Sequence, residues 1–186
     1  MNFIRSQIEG IVTIEPQVFE DDRGFFMETY SKKIFADNGI NVEFVQDNHS
    51  HSSQSVLRGL HFQKPPFAQD KLIRVTQGEV IDIAVDIRPT SPTFGKWEAV
   101  RLSAENKKMF FIPKGFAHGF YVISENVDFL YKCSNFYNKE SESGLLWNDS
   151  ELNISWFTDG NPILSLKDQA WPTLAQTKED LMKIEW

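Results

Sequence analysis

The sequence is poor in cysteine: Cys133 is the single example among 186 residues, so no disulfide bond can form within the chain. It also lacks any apolar run close to the roughly 18 residues that a membrane-spanning helix needs. The first ten residues, MNFIRSQIEG, contain no apolar segment of the secretory type. We therefore expect a cytoplasmic protein that has no membrane partner.

Positive charge is scarce as well, because 19 lysines and arginines stand against 26 aspartates and glutamates, for a net charge of −7. A nucleic-acid surface needs a basic patch or stripe, so this balance argues against DNA or RNA as a partner. An anionic small molecule remains possible if local cations overcome the overall field. No linker, repeat or charge block divides the sequence, which predicts a single domain over residues 1–186.

Aromatic residues are abundant, with 16 phenylalanines, and they favour a β-rich interior. In EVIDIAVDI, residues 79–87, Ile81, Ile83 and Val85 alternate with the residues of the opposite face, as in a strand. The segments KLIRVTQG, WEAVRLS, KMFFIP, GFYVIS and FLYKCSNF have the same pattern, with turn signals between them. Short strands at this spacing predict a mainly β fold, an antiparallel sandwich or barrel.

Helices are predicted at only two places. Lys32–Asn38 forms a short helix that ends at Gly39, a residue suited to the left-handed position after a helix. Near the C-terminus we predict a second helix over Thr177–Ile184, with Thr177 as its N-cap. The segment 165–168 before it fits either a turn of helix or a structured loop.

The histidine pattern argues against a metal site. His49 and His51 lie in NHSHSSQS, where no nearby glutamate completes a ligand set, and we expect them to be solvated in a loop. Metal-binding cupins, which are small β-barrels, carry an H-x-H pair, a later glutamate and a P-x-G-x-x-H segment. The chain has the last element, which ends at His118, but Gln63 replaces one ligand in His61-Phe-Gln63. The barrel is therefore expected to be cupin-like, with no bound metal.

His61 lies in LRGLHFQ, residues 57–63, among apolar side chains. Local sequence favours a packed core histidine over a catalytic one. A carboxylate on one ring nitrogen would fix the tautomer, stabilise the imidazolium and make the histidine a useful base. Asp82, Asp86 and Asp168 all qualify by residue type, and the sequence does not choose among them.

Two further polar residues are placed by alternation on apolar strand faces. Tyr131 alternates with Phe129, which fits either a buried structural tyrosine or an acid facing a pocket. Lys71 shares a face with Ile73 and Val75, so it either ends its strand in solvent or reaches an oxyanion in a cavity.

Nine segments stand in order along the chain: DDRGFFMETY at 21–30, FVQDNHS at 44–50, LRGLHFQ at 57–63, KLIRVTQGEVIDIAVDIR at 71–88, SPTFGKW at 91–97, LSAENKKMFFIPKGFAHGF at 102–120, FLYKCSNFY at 129–137, GLLWND at 144–149 and LSLKD at 164–168. Together they resemble the dTDP-4-dehydrorhamnose 3,5-epimerase family, the cofactor-independent nucleotide-sugar epimerases of L-rhamnose biosynthesis. The resemblance implies a cupin-like jelly-roll barrel with a few short helices and a helical C-terminal segment.

The resemblance also implies roles for particular residues. His61 corresponds to the general base, Asp168 to its carboxylate partner, Tyr131 to the general acid on the opposite face of the sugar, and Lys71 to the group that stabilises the enolate oxygen. Contacts to the nucleotide sugar fall on Arg23, Glu28, Gln46, Asp47, Asn48, Arg58, His118, Glu142 and Lys167, with Tyr137 stacked on thymine. The implied assembly is a homodimer in which N-terminal residues of one subunit complete the partner's site.

The implied reaction needs neither a metal nor a redox cofactor. The C4 ketone of a dTDP-4-keto-6-deoxy sugar acidifies the hydrogens at C3 and C5, so removal and return of a proton through an enolate inverts each carbon. A single-carbon epimerase acting on another nucleotide 4-keto sugar is an alternative. A sugar-binding cupin without catalysis is another.

Two positions near these residues carry specific expectations. Under strict alternation Arg58 and His61 face opposite ways, unless Gly59 forms a bulge that re-aims one of them. Asp70 precedes Lys71 where family members usually carry glycine, and a pair between the two would weaken the enolate role. We expect Asp70 to point to solvent instead.

Overall fold

The computed structural model describes residues 1–156 and 160–186. Its strands are β1 (Asn2–Arg5), β2 (Val12–Glu15), β3 (Val18–Asp21), β4 (Gly24–Met27), β5 (Gln46–Ser53), β6 (Leu57–Gln63), β7 (Lys71–Gln77), β8 (Glu79–Asp86), β9 (Trp97–Ser103), β10 (Met109–Ile112), β11 (Phe116–Val122), β12 (Asn126–Cys133) and β13 (Glu142–Gly144). The helices are α1 (Lys32–Asp37) and α2 (Leu174–Leu181).

The strands form two facing antiparallel sheets and a separate hairpin. The six-stranded sheet has the order β1-β2-β10-β7-β12-β5, and the five-stranded sheet has the order β13-β6-β11-β8-β9. β3 and β4 form the hairpin. The prediction of a mainly β, jelly-roll fold is confirmed.

The inner faces of the two sheets enclose the main apolar core. Phe129 of β12 stacks on Phe120 of β11, with ring centroids 4.0 Å apart, and so joins the two sheets. Phe110 and Phe129 are almost fully buried, and burying an aromatic side chain of this size contributes about 1.5–3 kcal/mol. Tyr131 packs against the edge of this core. The side chains next to Tyr131 are therefore closely packed.

The outer face of the five-stranded sheet is covered by the C-terminal segment. Ile81 and Ile83 of β8 pack in one cluster with Trp156, Leu174 and Leu181. The alternation in EVIDIAVDI thus separates two buried faces rather than one buried and one solvated face. The C-terminal segment also carries Asp168 to the edge of this sheet.

The predicted first helix is confirmed to within one residue. It begins after Ser31, whose hydroxyl accepts a hydrogen bond from the Ile34 amide, and it ends at Asp37. Gly39 follows with φ +83°, in the left-handed region. A residue without a side chain adopts that conformation at little cost.

The predicted bounds of the second helix are wrong. Thr173, not Thr177, is the N-cap, because Thr173 and Gln176 exchange side-chain and backbone hydrogen bonds in a capping box. The hydroxyl of Thr177 donates instead to the backbone carbonyl of Thr173, one turn earlier. Neither helix of the described chain is long and apolar enough to span a membrane.

The expectation of a loop at His49 and His51 is also wrong. Both residues lie on β5, which pairs with β12 along its whole length. Their side chains are exposed, as expected, but both rings contact the carboxylate of Asp128 on β12. The alternating residues of β5 thereby separate an outer and an inner face.

Candidate active site

His61 contacts a carboxylate that lies far away in the sequence. Its Nε2 atom is 2.5 Å from Oδ1 of Asp168, and the Asp168 side chain is only 5% exposed. Asp168 lies in a turn in which its own backbone N–H donates to the hydroxyl of Ser165. Of the three candidate carboxylates, Asp168 is the one that the structure brings to His61.

The other two candidates have different partners. Both oxygens of Asp82 contact Nε2 of His118, at 2.9 and 3.0 Å. Asp86 instead binds the guanidinium of Arg88, at 2.7 Å, and neighbouring hydroxyl groups. His118 lies directly opposite His61 in the pairing of β11 with β6, so two His–carboxylate pairs stand side by side.

The environment keeps Asp168 ionised. Burial raises the pKa of this carboxyl, but the hydrogen bond and charge of His61 outweigh that effect and hold the pKa below its usual value. In the Asp82 pair, burial raises the pKa of the carboxyl and lowers the pKa of His118, because both charged forms lose hydration. The two pairs therefore differ. The His61–Asp168 pair favours the ionised carboxylate, whereas burial of the Asp82–His118 pair disfavours the charged form of both groups.

A bulge brings Arg58 to the same face as His61. His118 pairs with His61 and Phe120 pairs with Arg58. Between these two pairs β6 advances by three residues while β11 advances by two, which is a β-bulge in β6. Gly59 takes φ +140°, and a Cβ atom there would lie 2.5 Å from Cα of Gly119. The alternative that Gly59 forms a bulge is therefore confirmed.

Tyr131 lies on the opposite wall, in the six-stranded sheet. It pairs with Asn48 of β5 and Ile73 of β7, and its ring packs against the inner core. Burial raises the pKa of its phenol, while the charge of Arg58 opposes the shift. The phenol is thus protonated at neutral pH and able to donate a proton.

Lys71 shares this inner face with Tyr131. It lies opposite Cys133 on β12, and its ammonium makes no hydrogen bond or ion pair with any residue that the structure describes. Burial lowers its pKa, an effect that Cys133, Asp82 and Glu142 oppose. Of the two alternatives for this lysine, the structure supports the one in which it faces a cavity.

Asp70 does not pair with Lys71. One of its carboxylate oxygens accepts from the hydroxyl of Ser134, at 2.7 Å, and the other accepts from the backbone N–H of Lys114, at 3.1 Å. The expectation that Asp70 points to solvent is wrong, because it is half-buried and held by these bonds. Lys71 therefore keeps its charge free for another partner.

The segment Gln46–Asn48 is divided between two faces. Asn48 lies opposite Tyr131. The side-chain amide of Gln46 donates a hydrogen bond to the side-chain oxygen of Asn48 at 3.0 Å. Asp47 points to the other face, where its carboxylate contacts the ammonium of Lys132 at 2.8 Å. The structure thus places Gln46 and Asn48 on one face of β5 and Asp47 on the other.

Three more of the predicted binding residues form one network beside the strand that carries His61. The hydroxyl of Tyr137 donates to Glu142 at 2.9 Å, and the ammonium of Lys167 contacts the other oxygen of Glu142 at 2.6 Å. Glu142 lies on β13, whose Gly144 pairs with His61. Tyr137 is 55% exposed, which leaves part of the residue open to a ligand.

Arg23 lies in the β3–β4 hairpin and Glu28 directly follows β4. Arg23 is at the tip of the β3–β4 hairpin, where it contacts Asp21 and its side chain is 89% exposed. Phe25 and Phe26 of the same hairpin are also exposed. Within the described residues, neither Arg23 nor Glu28 makes a side-chain hydrogen bond or ion pair with the other predicted binding residues.

Gln63 is structural rather than a substitute metal ligand. Its amide donates to the carbonyls of Phe67 and Phe136, and its oxygen accepts from the N–H of Asn138. Nowhere in residues 1–156 and 160–186 do three or more His, Cys, Asp or Glu side chains form a metal-binding group. The residue that the sequence interpretation missed is Trp171, whose ring meets the imidazole of His61 edge-on at 6.1 Å. Its position three residues after Asp168 was the available signal.

Comparison with known proteins is decisive for the family. A family model described as dTDP-4-dehydrorhamnose 3,5-epimerase matches residues 5–176. The chain belongs to the dTDP-4-dehydrorhamnose 3,5-epimerase family. The dTDP-4-dehydrorhamnose 3,5-epimerase of Shigella flexneri is 56% identical over 169 residues, which cover 90% of this chain and 93% of that protein.

Solved structures of related epimerases have the same fold. A dTDP-6-deoxy-D-glucose-3,5-epimerase from Legionella pneumophila, in complex with dTDP-4-keto-L-rhamnose, matches with a TM-score of 0.93 and 49% identity, over 97% of this chain and 96% of that one. A 3'-monoepimerase from Streptomyces bikiniensis, in complex with dTDP-quinovose, has a TM-score of 0.88 at 31% identity, over 94% and 88% of the two chains. The predicted family and the isomerase class are confirmed.

Proposed function

We propose that the chain converts dTDP-4-dehydro-6-deoxy-D-glucose to dTDP-4-dehydro-L-rhamnose by inverting C3 and C5, with His61 as base and Tyr131 as acid. The observation that supports these roles best is their placement on facing sheets. His61, backed by Asp168, lies on the five-stranded sheet, and Tyr131 lies on the six-stranded one. A base and an acid on opposite sides of a sugar are what inversion requires.

The contact with Asp168 supports Nδ1 as the reacting atom of His61. Nε2 contacts the ionised Asp168, so that nitrogen carries the proton and Nδ1 carries the lone pair. Nδ1 then takes the hydrogen from the carbon next to the C4 ketone. The carboxylate of Asp168 stabilises the imidazolium that results and keeps the ring in one orientation.

Lys71 and Tyr131 complete each inversion. The negative charge that develops on the C4 oxygen is stabilised by the ammonium of Lys71, which has no other partner among the described residues. The phenol of Tyr131, kept protonated by burial, gives a proton to the other face of the carbon. His61 then gives its proton to solvent and the phenolate of Tyr131 takes one up from solvent, and the second carbon follows by the same steps. Neither a metal nor a redox cofactor enters this scheme.

The nucleotide is held at the mouth of the pocket. The exposed ring of Tyr137 can stack on thymine, while Arg58 and Lys167 supply positive charge for the diphosphate. Arg23 and Glu28 reach a site in a homodimer, where the exposed β3–β4 hairpin of one subunit extends to the partner's pocket. We place this dimer in the cytoplasm, in keeping with the single cysteine.

A single-carbon epimerase is the second candidate, and the likeness to a 3'-monoepimerase favours it. An NMR time course with dTDP-4-dehydro-6-deoxy-D-glucose in D2O separates the two. Deuterium at both C3 and C5 supports the first proposal, and deuterium at one carbon supports the second. Exchange at neither carbon contradicts both. The His61→Asn variant, which keeps a polar side chain but no base, is the matched control.

A further inference from the structure

Trp171 lies beside three of the residues that the proposed function uses. Its ring lies edge-on to the imidazole of His61, at 6.1 Å between centroids and 68° between planes. The ammonium of Lys167 lies 5.8 Å from the centre of the same ring. The indole N–H lies near the Asp168 carboxylate, where it favours the ionised form. One side chain therefore links the base, its carboxylate and a nucleotide contact.

The backbone around Trp171 holds the indole in place. Gly144 pairs with His61, and a Cβ atom on Gly144 would lie 2.6 Å from two ring atoms of Trp171. The indole thus packs directly on the backbone of β13. The carbonyl of Pro172, the next residue, accepts a hydrogen bond from the N–H of Leu146 at 2.8 Å. The ring has little freedom to move away from His61.

The indole N–H of Trp171 lacks a hydrogen-bond acceptor among the residues that the structure describes. Nε1 of Trp171 is buried and makes no hydrogen bond with the residues that the structure describes. A buried donor without a partner is unfavourable, so such a group needs an explanation. The Asp168 carboxylate is the acceptor whose ionised form this N–H favours, although the two make no hydrogen bond in the structure. A hydrogen bond between them would satisfy the indole.

We propose that Trp171 is a positioning residue: its ring restrains the imidazole of His61, and its N–H donates to the Asp168 carboxylate both with and without substrate. This inference rests on the proposed function of His61 as the base. The carboxylate would then be held from two sides while the imidazole takes up the substrate proton. Trp171 does not itself touch the reacting carbon.

The test compares Trp171→Phe, which keeps an aromatic ring but removes the N–H, with Trp171→Ala, which removes both. Trp97→Phe is the matched control, because the N–H of Trp97 donates to the carbonyl of Leu152, away from the site. Two readouts are used on the full chain: kcat and KM for epimerisation, and carboxyl NMR titration of Asp168 without substrate.

We expect Trp171→Phe to lower kcat about tenfold to a hundredfold, the effect of one hydrogen bond to a charged group, with KM changed by less than about twofold. The titration of Asp168 moves to higher pH in the same variant, because a donor to the carboxylate is lost. Trp171→Ala loses more activity, and Trp97→Phe matches the parent protein in both readouts.

Two results would overturn the proposal. Parental kcat and an unchanged Asp168 titration in Trp171→Phe would show that the N–H does nothing for the pair. A raised KM with parental kcat would show that the ring only lines the sugar pocket. If the parent protein itself failed to exchange deuterium, the proposed function would fail, yet the Asp168 titration would still decide the role of the indole.

Discussion

His61 and Asp168 are 107 residues apart in sequence, yet Nε2 of His61 lies 2.5 Å from Oδ1 of Asp168. The contact joins a strand of the five-stranded sheet to a turn of the C-terminal segment. In the proposed function this contact selects one tautomer, with Nδ1 of the imidazole left to act on the substrate. This pair is the starting point for the first two predictions.

Replacing Asp168 by Asn is expected to lower kcat by about a hundredfold to ten-thousandfold, the usual range for losing general-base function. An amide can present its N–H to Nε2, which favours the wrong tautomer, and it stabilises no imidazolium. Steady-state kinetics with the 4-keto sugar would measure the effect. Asp86→Asn is not a neutral control, because that carboxylate binds Arg88, so Asp37→Asn on the exposed side of α1 serves instead.

The destabilisation caused by Asp168→Asn, measured as a change in the free energy of unfolding, is expected to depend on pH. The pKa of Asp168 is lower in the folded protein than its ordinary value of 3.8, so its contribution is present above that pH. The contribution is lost as the pH falls through the folded pKa. Urea unfolding of the parent and of Asp168→Asn should therefore show a stability difference at pH 6 that shrinks toward acid pH. A difference that grows toward acid pH would contradict the assignment.

Gly59→Ala is expected to destabilise the protein and to lower activity. Alanine at φ +140° is strained, and its Cβ would meet the backbone of Gly119, so we expect a loss of about 1–3 kcal/mol or more in the free energy of unfolding. Gly24→Ala is the matched control, because Gly24 has φ +125° but no atom of the described chain within 4 Å of its Cβ position. Equal losses in the two variants would show that the bulge contact contributes nothing.

Lys71 predicts the behaviour of the enzyme at alkaline pH. Burial lowers the pKa of its ammonium. Activity that depends on the charged form should therefore be lost, as the pH rises, at a lower pH than that at which an exposed lysine titrates. Lys71→Met should remove that alkaline limb and lower kcat strongly, because the enolate oxygen loses its cation. A pH–rate profile of both proteins tests this. An unchanged alkaline limb in Lys71→Met would assign it to another group, such as Tyr131.

The proposed dimer predicts complementation between two defective subunits. His61→Asn lacks the base but has an intact hairpin, and Arg23→Ala has the base but lacks the hairpin guanidinium. If Arg23 acts in the partner's pocket, mixed dimers contain one pocket with both groups, and activity should return after the two proteins are unfolded and refolded together. Mixing His61→Asn with Tyr131→Phe is the control. Each of these substitutions inactivates the pocket of its own subunit, so no mixed dimer contains a complete pocket and no activity should return. Absence of recovery in the first mixture would place Arg23 in its own subunit's site or in none.

Much of the fold was contained in local patterns of the sequence. Alternation of apolar residues places a strand at Glu79–Asp86, and Gly39 marks the end of α1, because both signals depend on neighbours only a few residues away. The helix start at Thr173 was equally local, but Thr177 offered a competing cap. The family resemblance came from ordered segments and pointed to His61, Lys71, Tyr131 and Asp168 together.

What the tertiary structure decided depends on contacts between distant segments. The choice of Asp168 over Asp82 follows from how the C-terminal turn packs against the five-stranded sheet. The common face of Arg58 and His61 follows from a bulge that becomes defined only when β11 pairs with β6. Alternation is a property of one strand, whereas register, bulges and partners are properties of two, so the sequence determined the chemistry available and the packing determined which groups meet.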